Sequence, residues 1–161
     1  MAQAAARHHE VQYVTLGIGR EVFAVEVAVV QEILEMRQIS LLPHAPAFML
    51  GVIDVRGRAV PVIDLRVKLG LPPVAATEHT RILVMEVPID GKPLAMGLVA
   101  DRVFEVTGLN ADGVESPPEI GVRWRSEYIR GIARHADNFV IIFDLAQLFS
   151  SEEAALLTDG G

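Results

Sequence analysis

One stretch of this chain has its layout repeated eighty positions later, and that repeat limits the fold more than any other feature. The first copy reads Gly51-Val-Ile-Asp-Val-Arg-Gly-Arg-Ala-Val-Pro-Val-Ile-Asp64, and the second reads Gly131-Ile-Ala-Arg-His-Ala-Asp-Asn-Phe-Val-Ile-Ile-Phe-Asp144. Each has a bulky residue three positions before the glycine (Phe48, Tyr128) and a leucine after the aspartate (Leu65, Leu145). Identity between the copies is low, yet length, turn position and terminal aspartate agree, which favours duplication. The pattern in each copy is two β-rich runs around a polar turn, the mark of a hairpin. A two-copy, mainly β chain without a catalytic cluster points toward a scaffold more than an enzyme.

The rest of the chain is read around these hairpins. Residues 11–18 and 21–27 are rich in β-branched and aromatic residues, with Gly17-Ile-Gly19 between them, and predict a first hairpin. Those glycines lack the third glycine and the helix of a nucleotide-binding loop. Residues 27–34 carry apolar side chains at a spacing that predicts a short helix, followed by an extended segment over 35–42. A phrase in this region, Val30-Gln-Glu32-Ile33, returns as Val103-Phe-Glu105-Val106. The central hairpin is expected at 50–56 and 59–64, with Gly57-Arg58 as a type II′ turn because glycine supplies positive φ at its first corner. In that register Val55 faces Val60 and Gly51 faces Asp64, and Ile53, Val55, Val60 and Val62 share one apolar face. Asp64 and Asp144 are placed to cap short helices over 65–69 and 145–149. Further strands are expected at 80–87, 94–100 and 102–109, a loop at 116–119 and helical spacing over 151–157.

Composition narrows the function. A length of 161 residues fits one domain or two small barrels sharing a core, and 51% apolar content is enough to bury an interior. The formal net charge of −7 argues against a nucleic-acid binder, which needs a basic footprint. There is no cysteine, so disulfides, thiolate nucleophiles and Cys-type zinc sites are excluded. The short, polar N-terminus does not resemble a secretory signal, and apolar runs fall far short of the roughly 20 residues a membrane-spanning helix needs. A soluble, cytoplasmic protein is expected.

Candidate chemistry is sparse. Asp54 and Asp64 lie on opposite faces of the expected hairpin, about 10 Å apart at roughly 3.4 Å per residue, and cannot act as an acid/base dyad. Asp101 and Glu105 read as solvated strand residues. His8, His9, His44, His79 and His135 show no metal-ligand spacing, so no metal or cofactor is expected. No serine sits in a nucleophile elbow. Arg123-Trp124-Arg125 is a lone basic-aromatic cluster, read as a surface contact. A small β-barrel hydrolase using exposed carboxylates is the alternative from a different class, and the spacing disfavours it. Glu32 and Arg56 remain: an outward arginine beside a turn, near Glu32 and Val30, suits a partner surface because its planar fork donates several hydrogen bonds.

At these residues the sequence resembles the CheW family of bacterial chemotaxis coupling proteins. The matching pieces are Phe23-Ala-Val-Glu-Val, Val30-Gln-Glu-Ile33, Pro46-Ala-Phe-Met-Leu-Gly51-Val-Ile-Asp-Val-Arg56-Gly57 and Val60-Pro-Val-Ile-Asp-Leu-Arg66. Leu98-Val-Ala-Asp101-Arg-Val-Phe-Glu-Val106, Tyr128-Ile-Arg-Gly131 and Ser151-Glu-Glu-Ala-Ala-Leu-Leu157 continue it, so the likeness runs over about residues 10–157. The resemblance implies a mainly β fold of two intertwined, SH3-like, five-stranded barrel subdomains around a shared hydrophobic core, with a few short helices. It implies one domain over 11–157, with subdomains near 11–75 and 76–150 and exchange of strands or termini allowed between them. Residues 1–10 and 158–161 would be tails.

The resemblance further implies a non-catalytic adaptor, without cofactor, that joins chemoreceptor cytoplasmic domains to the regulatory domain of the CheA histidine kinase. Such an adaptor is recruited to membrane-associated arrays without inserting into the membrane, and binds no nucleic acid. The receptor-contact positions carried over are Val30, Glu32, Ile33, Gly51 and Arg56. The family often has Asn where this chain has Asp54, so Asp54 is the expected modulator of Arg56. An adaptor of another chemosensory pathway, serving surface motility or another kinase output, fits the same motifs.

Overall fold

The structure, a computed structural model, describes residues 10–110, 113–115 and 128–149. The expected loop at 116–119, the Arg123-Trp124-Arg125 cluster, the His8-His9 pair, the helical spacing over 151–157 and the terminal tails lie outside these residues, Glu10 excepted. Ten strands make up the described fold: β1 Glu10–Ile18, β2 Glu21–Glu26, β3 Val30–Glu35, β4 Met49–Val55, β5 Arg58–Asp64, β6 Arg81–Ile89, β7 Lys92–Ala100, β8 Arg102–Asn110, β9 Ile129–His135 and β10 Asn138–Phe143. Two one-turn helices, α1 Leu65–Lys68 and α2 Leu145–Leu148, follow β5 and β10.

The strands form two five-stranded sheets, ordered β8-β1-β2-β10-β9 and β3-β6-β7-β5-β4. Both follow one plan. A late hairpin (β9–β10 or β4–β5) joins an early hairpin (β1–β2 or β6–β7) through a parallel seam, β10 on β2 and β5 on β7. The exchange lies in which hairpin goes where. Sheet membership does not change near residue 75; the first sheet takes β1–β2 from one half of the chain and β8–β10 from the other, and the second sheet takes the strands between.

Side-chain alternation then creates three apolar clusters. Tyr13, Ala24, Leu109, Ala133, Val140 and Ile142 fill the first barrel, and Ile53, Val60, Val62, Ile82 and Val84 fill the second. The opposite faces of the same strands meet in a larger shared core containing Leu16, Phe23, Leu83, Met85, Leu98 and Phe143. Phe23 and Phe143 stack there with ring centroids 4.7 Å apart across the β2–β10 seam.

The two hairpins that mark the repeat are superimposable in register. Gly51 pairs with Val62 and Val55 with Arg58; Gly131 pairs with Ile142 and His135 with Asn138. Each has a bulge in the same place, at Leu50 and at Arg130. The carbonyls of Phe48 and Tyr128 accept equivalent hydrogen bonds from the N–H groups of Asp64 and Asp144, both at 2.8 Å. Asp64 Oδ1 accepts from Arg66 N–H at 3.0 Å and Asp144 Oδ1 from Gln147 N–H at 3.1 Å, so both aspartates cap their helices as expected.

Two local expectations are corrected. The central turn is Arg56-Gly57, with φ of 53° and 83°, which is a type I′ turn and not the II′ turn expected at Gly57-Arg58. Its twist matches the flanking strands, and Asp54 Oδ1 accepts the Gly57 N–H at 2.8 Å, which offsets part of the cost of a positive φ at arginine. The register moves by two residues, so the faces are kept: Ile53 now opposes Val60, and both remain inside the barrel. Residues 27–34 are not a helix. A 3₁₀ turn at Val27–Val29 leads into β3, whose alternating exposure and pairing with β6 outweigh an apolar spacing that suits either element.

Gly51 and Gly131 share a further constraint. After β3 the chain returns at Ser40 to pair with Val52, and after β8 it returns at Glu115 to pair with Ile132. A side chain at Gly51, where φ is +150°, would run into the Ser40 carbonyl, and one at Gly131 would meet the Glu115 carbonyl at 2.8 Å. Glycine is what lets each returning segment close its barrel. Gly131→Ala is expected to lower unfolding stability by about 1–3 kcal/mol, read as a fall in the urea midpoint.

Tyr13 sits inside the first barrel, within electrostatic range of Arg130 and Glu26, which contact each other at 2.6 Å. Burial first, and the Glu26 charge second, raise the Tyr13 pKa above 10.0, with Arg130 opposing. A raised folded pKa gives stability that is complete below the unfolded value and is lost as pH climbs through the folded one. The denaturation midpoint of Tyr13→Phe is therefore expected to fall less than that of the native protein between about pH 8 and about pH 11.

Candidate functional site

The expected contact residues lie on β3 and at the β4–β5 hairpin. β3 carries Val30, Glu32 and Ile33, with a bulge between Val30 and Glu32 in its pairing with β6. Val30 is half-buried against the shared core, Glu32 is half-buried, and Ile33 is 42% exposed. Across the barrel mouth, the positive φ at the β4–β5 turn sends Arg56 toward β3, and Arg56 Nη2 lies 3.4 Å from Glu32 Oε1. The guanidinium is 80% exposed, so this pair contributes no more than about 0–1 kcal/mol to stability. Its planar donor fork is presented outward, while the neighbouring Ile33, which alternates with Glu32 along β3, exposes an apolar side chain from the strand's other face.

Two of the expected residues have other work. Gly51 is buried, and its neighbours are Ile39 and Ser40, not Arg56 or Glu32. Its part in any contact is to let the Ile39–Ser40 segment lie against β4. Asp54 acts on the turn: its carboxylate holds the Gly57 N–H, while the Arg56 guanidinium takes Glu32. The backbone carbonyl of Asp54 also accepts from Arg37 Nη1 at 3.2 Å.

Three polar groupings were not legible from motif spacing. Asp101, expected as a solvated strand residue, instead accepts at its Oδ2 from Arg66 Nη1 and from the Gly19 N–H, both at 2.7 Å. Lys68 lies over the rings of Phe48 and Tyr128. At the mouth of the first barrel Glu105 Oε1 lies 3.2 Å from His135 Nε2, beside a cleft of about 610 Å³ walled by Val22, Val103, Phe104 and Val140. Glu105 is the counterpart of Glu32 in the repeated phrase, which was the available signal for this pair.

Among the described residues, Asp54, Asp64, Asp101 and Asp144 form no acid/base dyad. Each is committed to a backbone N–H, and Asp101 to an arginine as well. Among the described residues no group of three or more His, Asp or Glu side chains is placed to hold a metal ion. No helix among them is long and apolar enough to cross a membrane.

Comparison with known proteins agrees with the fold. The chain is 33% identical over 146 residues to the chemotaxis protein CheW of Klebsiella aerogenes, covering 91% of this chain and 86% of that one. It is 27% identical over 155 residues to the chemotaxis protein CheW of Treponema pallidum, covering 96% and 91%. The crystal structure of the scaffolding protein TtCheW from Thermoanaerobacter tengcongensis superimposes with a TM-score of 0.78 at 29% identity, covering 89% of this chain and 90% of that one. Residues 12–153 match the family described as CheW-like domain, and the chain belongs to that family of chemotaxis scaffold proteins.

Proposed function

We propose that this protein is a non-catalytic adaptor that couples the cytoplasmic tips of chemoreceptors to the CheA histidine kinase. Membership of a scaffold family supports the reading, and the observation that carries it is the Glu32–Arg56 pair at the mouth of the second barrel. An exposed arginine held by a half-buried glutamate, on a strand that also exposes Ile33, is suited to dock on a helical partner that offers acidic and apolar side chains. The receptor surface consists of Glu32, Ile33 and Arg56, with Val30 and Gly51 fixing the strands that carry them.

The adaptor works by linkage. Two barrels sharing one core behave as a rigid body, and a rigid body with separate docking faces holds two partners in fixed relation. Signalling contacts of this kind bury about 800 Å² per partner or less. The protein acts in the cytoplasm, at receptor arrays on the membrane, and is held there by its protein partners.

Arg56→Glu reverses the charge facing the partner and places a second carboxylate beside Glu32. Receptor-fragment binding is expected to weaken by about tenfold, with a matching loss of receptor-dependent kinase control. Thermal stability should change little, because the side chain is exposed. Titration of the purified variant with a receptor cytoplasmic fragment, alongside a reconstituted kinase assay, tests this; native affinity and native control would remove Arg56 from the site.

A further inference from the structure

Helix α1 is only one turn long, yet its two basic side chains bind elements of both sheets. Arg66 Nη1 meets Asp101, which joins β7 of one sheet to β8 of the other and also holds Gly19 in the β1–β2 turn. Arg66 Nε also donates to the Pro72 carbonyl at 2.9 Å. Lys68 extends elsewhere: its ammonium lies 4.4 Å from the centroid of Phe48 and 5.5 Å from that of Tyr128.

Phe48 and Tyr128 are the equivalent residues of the two repeat copies. Each precedes a late hairpin, each accepts at its carbonyl the N–H of the aspartate that ends that hairpin, and each packs against the shared core. One cation thus contacts both rings where the two late hairpins begin. Phe48 leads into β4–β5, which carries Arg56 at its tip; Tyr128 leads into β9–β10 in the other barrel. Two π faces attract one ammonium more strongly than either alone, and half-burial of Lys68 limits competition from water. Methyl or methylene packing at this position would fill the space without favouring a fixed separation of the rings.

We infer that Lys68 is a positioning residue that fixes the angle between the two late hairpins, and so between the receptor-facing barrel and the other barrel. The inference rests on the adaptor reading for its consequence, since the relation between two docking faces matters only if both are used. Its structural content stands alone. Loss of the cation lets the hairpins shift about the shared core, so each partner still binds but the signal between them weakens.

The test uses the full chain, which contains no native cysteine, so labels can be attached at cysteines introduced in place of the exposed Arg58 and Asn138. Lys68→Met keeps a long apolar stem and removes the charge; Lys68→Arg keeps the charge. Spin-label distance measurements are expected to show the inter-barrel distribution broadened about twofold in Lys68→Met and at native width in Lys68→Arg. In a reconstituted array without labels, Lys68→Met should bind receptor fragment and kinase separately with native affinity while losing about fivefold in receptor control of the kinase, with Lys68→Arg restoring it. Tyr128→Leu, which removes one ring, should broaden the distribution as Lys68→Met does. Native width in both Lys68→Met and Tyr128→Leu overturns the inference. Failure of the unmodified protein to bind receptor or kinase overturns the adaptor reading instead, and leaves the distance measurement to decide the role of Lys68.

Discussion

The constraint on which the rest of this structure depends is that neither barrel can be completed from its own half of the chain. Each needs the early hairpin of the other half, joined along a parallel seam between β2 and β10 or between β7 and β5. The interiors of the separate barrels are small, with clusters around Tyr13 and Ile142 in one and around Ile53 and Ile82 in the other. Domains this small bury too little apolar surface to offset chain entropy comfortably. The shared core changes that balance. Leu16, Phe23, Leu83, Met85, Met96 and Leu98 have no measurable exposure there, and full burial of side chains of this size contributes roughly 1.5–3 kcal/mol each. Exchange of hairpins and fusion of the cores therefore favour one cooperative unit over two hinged lobes.

The polar contacts divide by what surrounds them. The Arg66–Asp101 pair is 15% and 28% exposed at 2.7 Å, and the same carboxylate oxygen accepts a backbone N–H from the β1–β2 turn. Removing one partner there would strand a poorly hydrated charge, so the pair belongs to the architecture. Glu32–Arg56 has the opposite character, long at 3.4 Å and open to water on the arginine side. It orients a guanidinium without consuming it. A surface pair of this sort can exchange its partner for another protein at little cost, because the stability it supplies to the fold is near zero.

Much of the plan was legible in the sequence because spacing and polarity alternation are read directly from the chain. The two late hairpins, their capping aspartates and most strands were found in that way. What escaped depended on partners distant in sequence. A spacing of Val27, Val29, Val30, Ile33 and Leu34 fits a helix as well as a strand, and only pairing with β6 decides between them. The turn at Arg56-Gly57 was misplaced because arginine at positive φ is disfavoured locally, and the compensating Asp54 contact is made only once the hairpin closes. Asp101 reads from the sequence as an ordinary surface charge, and no motif marks Lys68. Their partners come from a turn more than eighty residues earlier, from a neighbouring helix, and from two aromatic residues in separate copies.

The low identity between the copies has the same physical origin as their shared geometry. From Gly51 to Val60 and from Gly131 to Val140, the pattern of buried, half-buried and exposed positions is the same residue by residue. The buried positions hold only Gly, Ala, Ile or Val in either copy, whereas the exposed positions exchange Asp54 for Arg134, Arg56 for Ala136, Arg58 for Asn138 and Ala59 for Phe139. Interior volume is balanced across strands and not within a copy: the barrel that encloses Tyr13 has Ala24 and Ala133, and the one without an aromatic interior has Ile53 and Ile82. The frame is thus set by glycines, bulges and burial, while the tips are free to carry different chemistry. One tip directs an arginine at Glu32; at the other, Glu105 meets His135, which carries a charge only when protonated. A repeated hairpin plan with unlike tips gives one shared-core unit two distinguishable faces, which suits a scaffold protein.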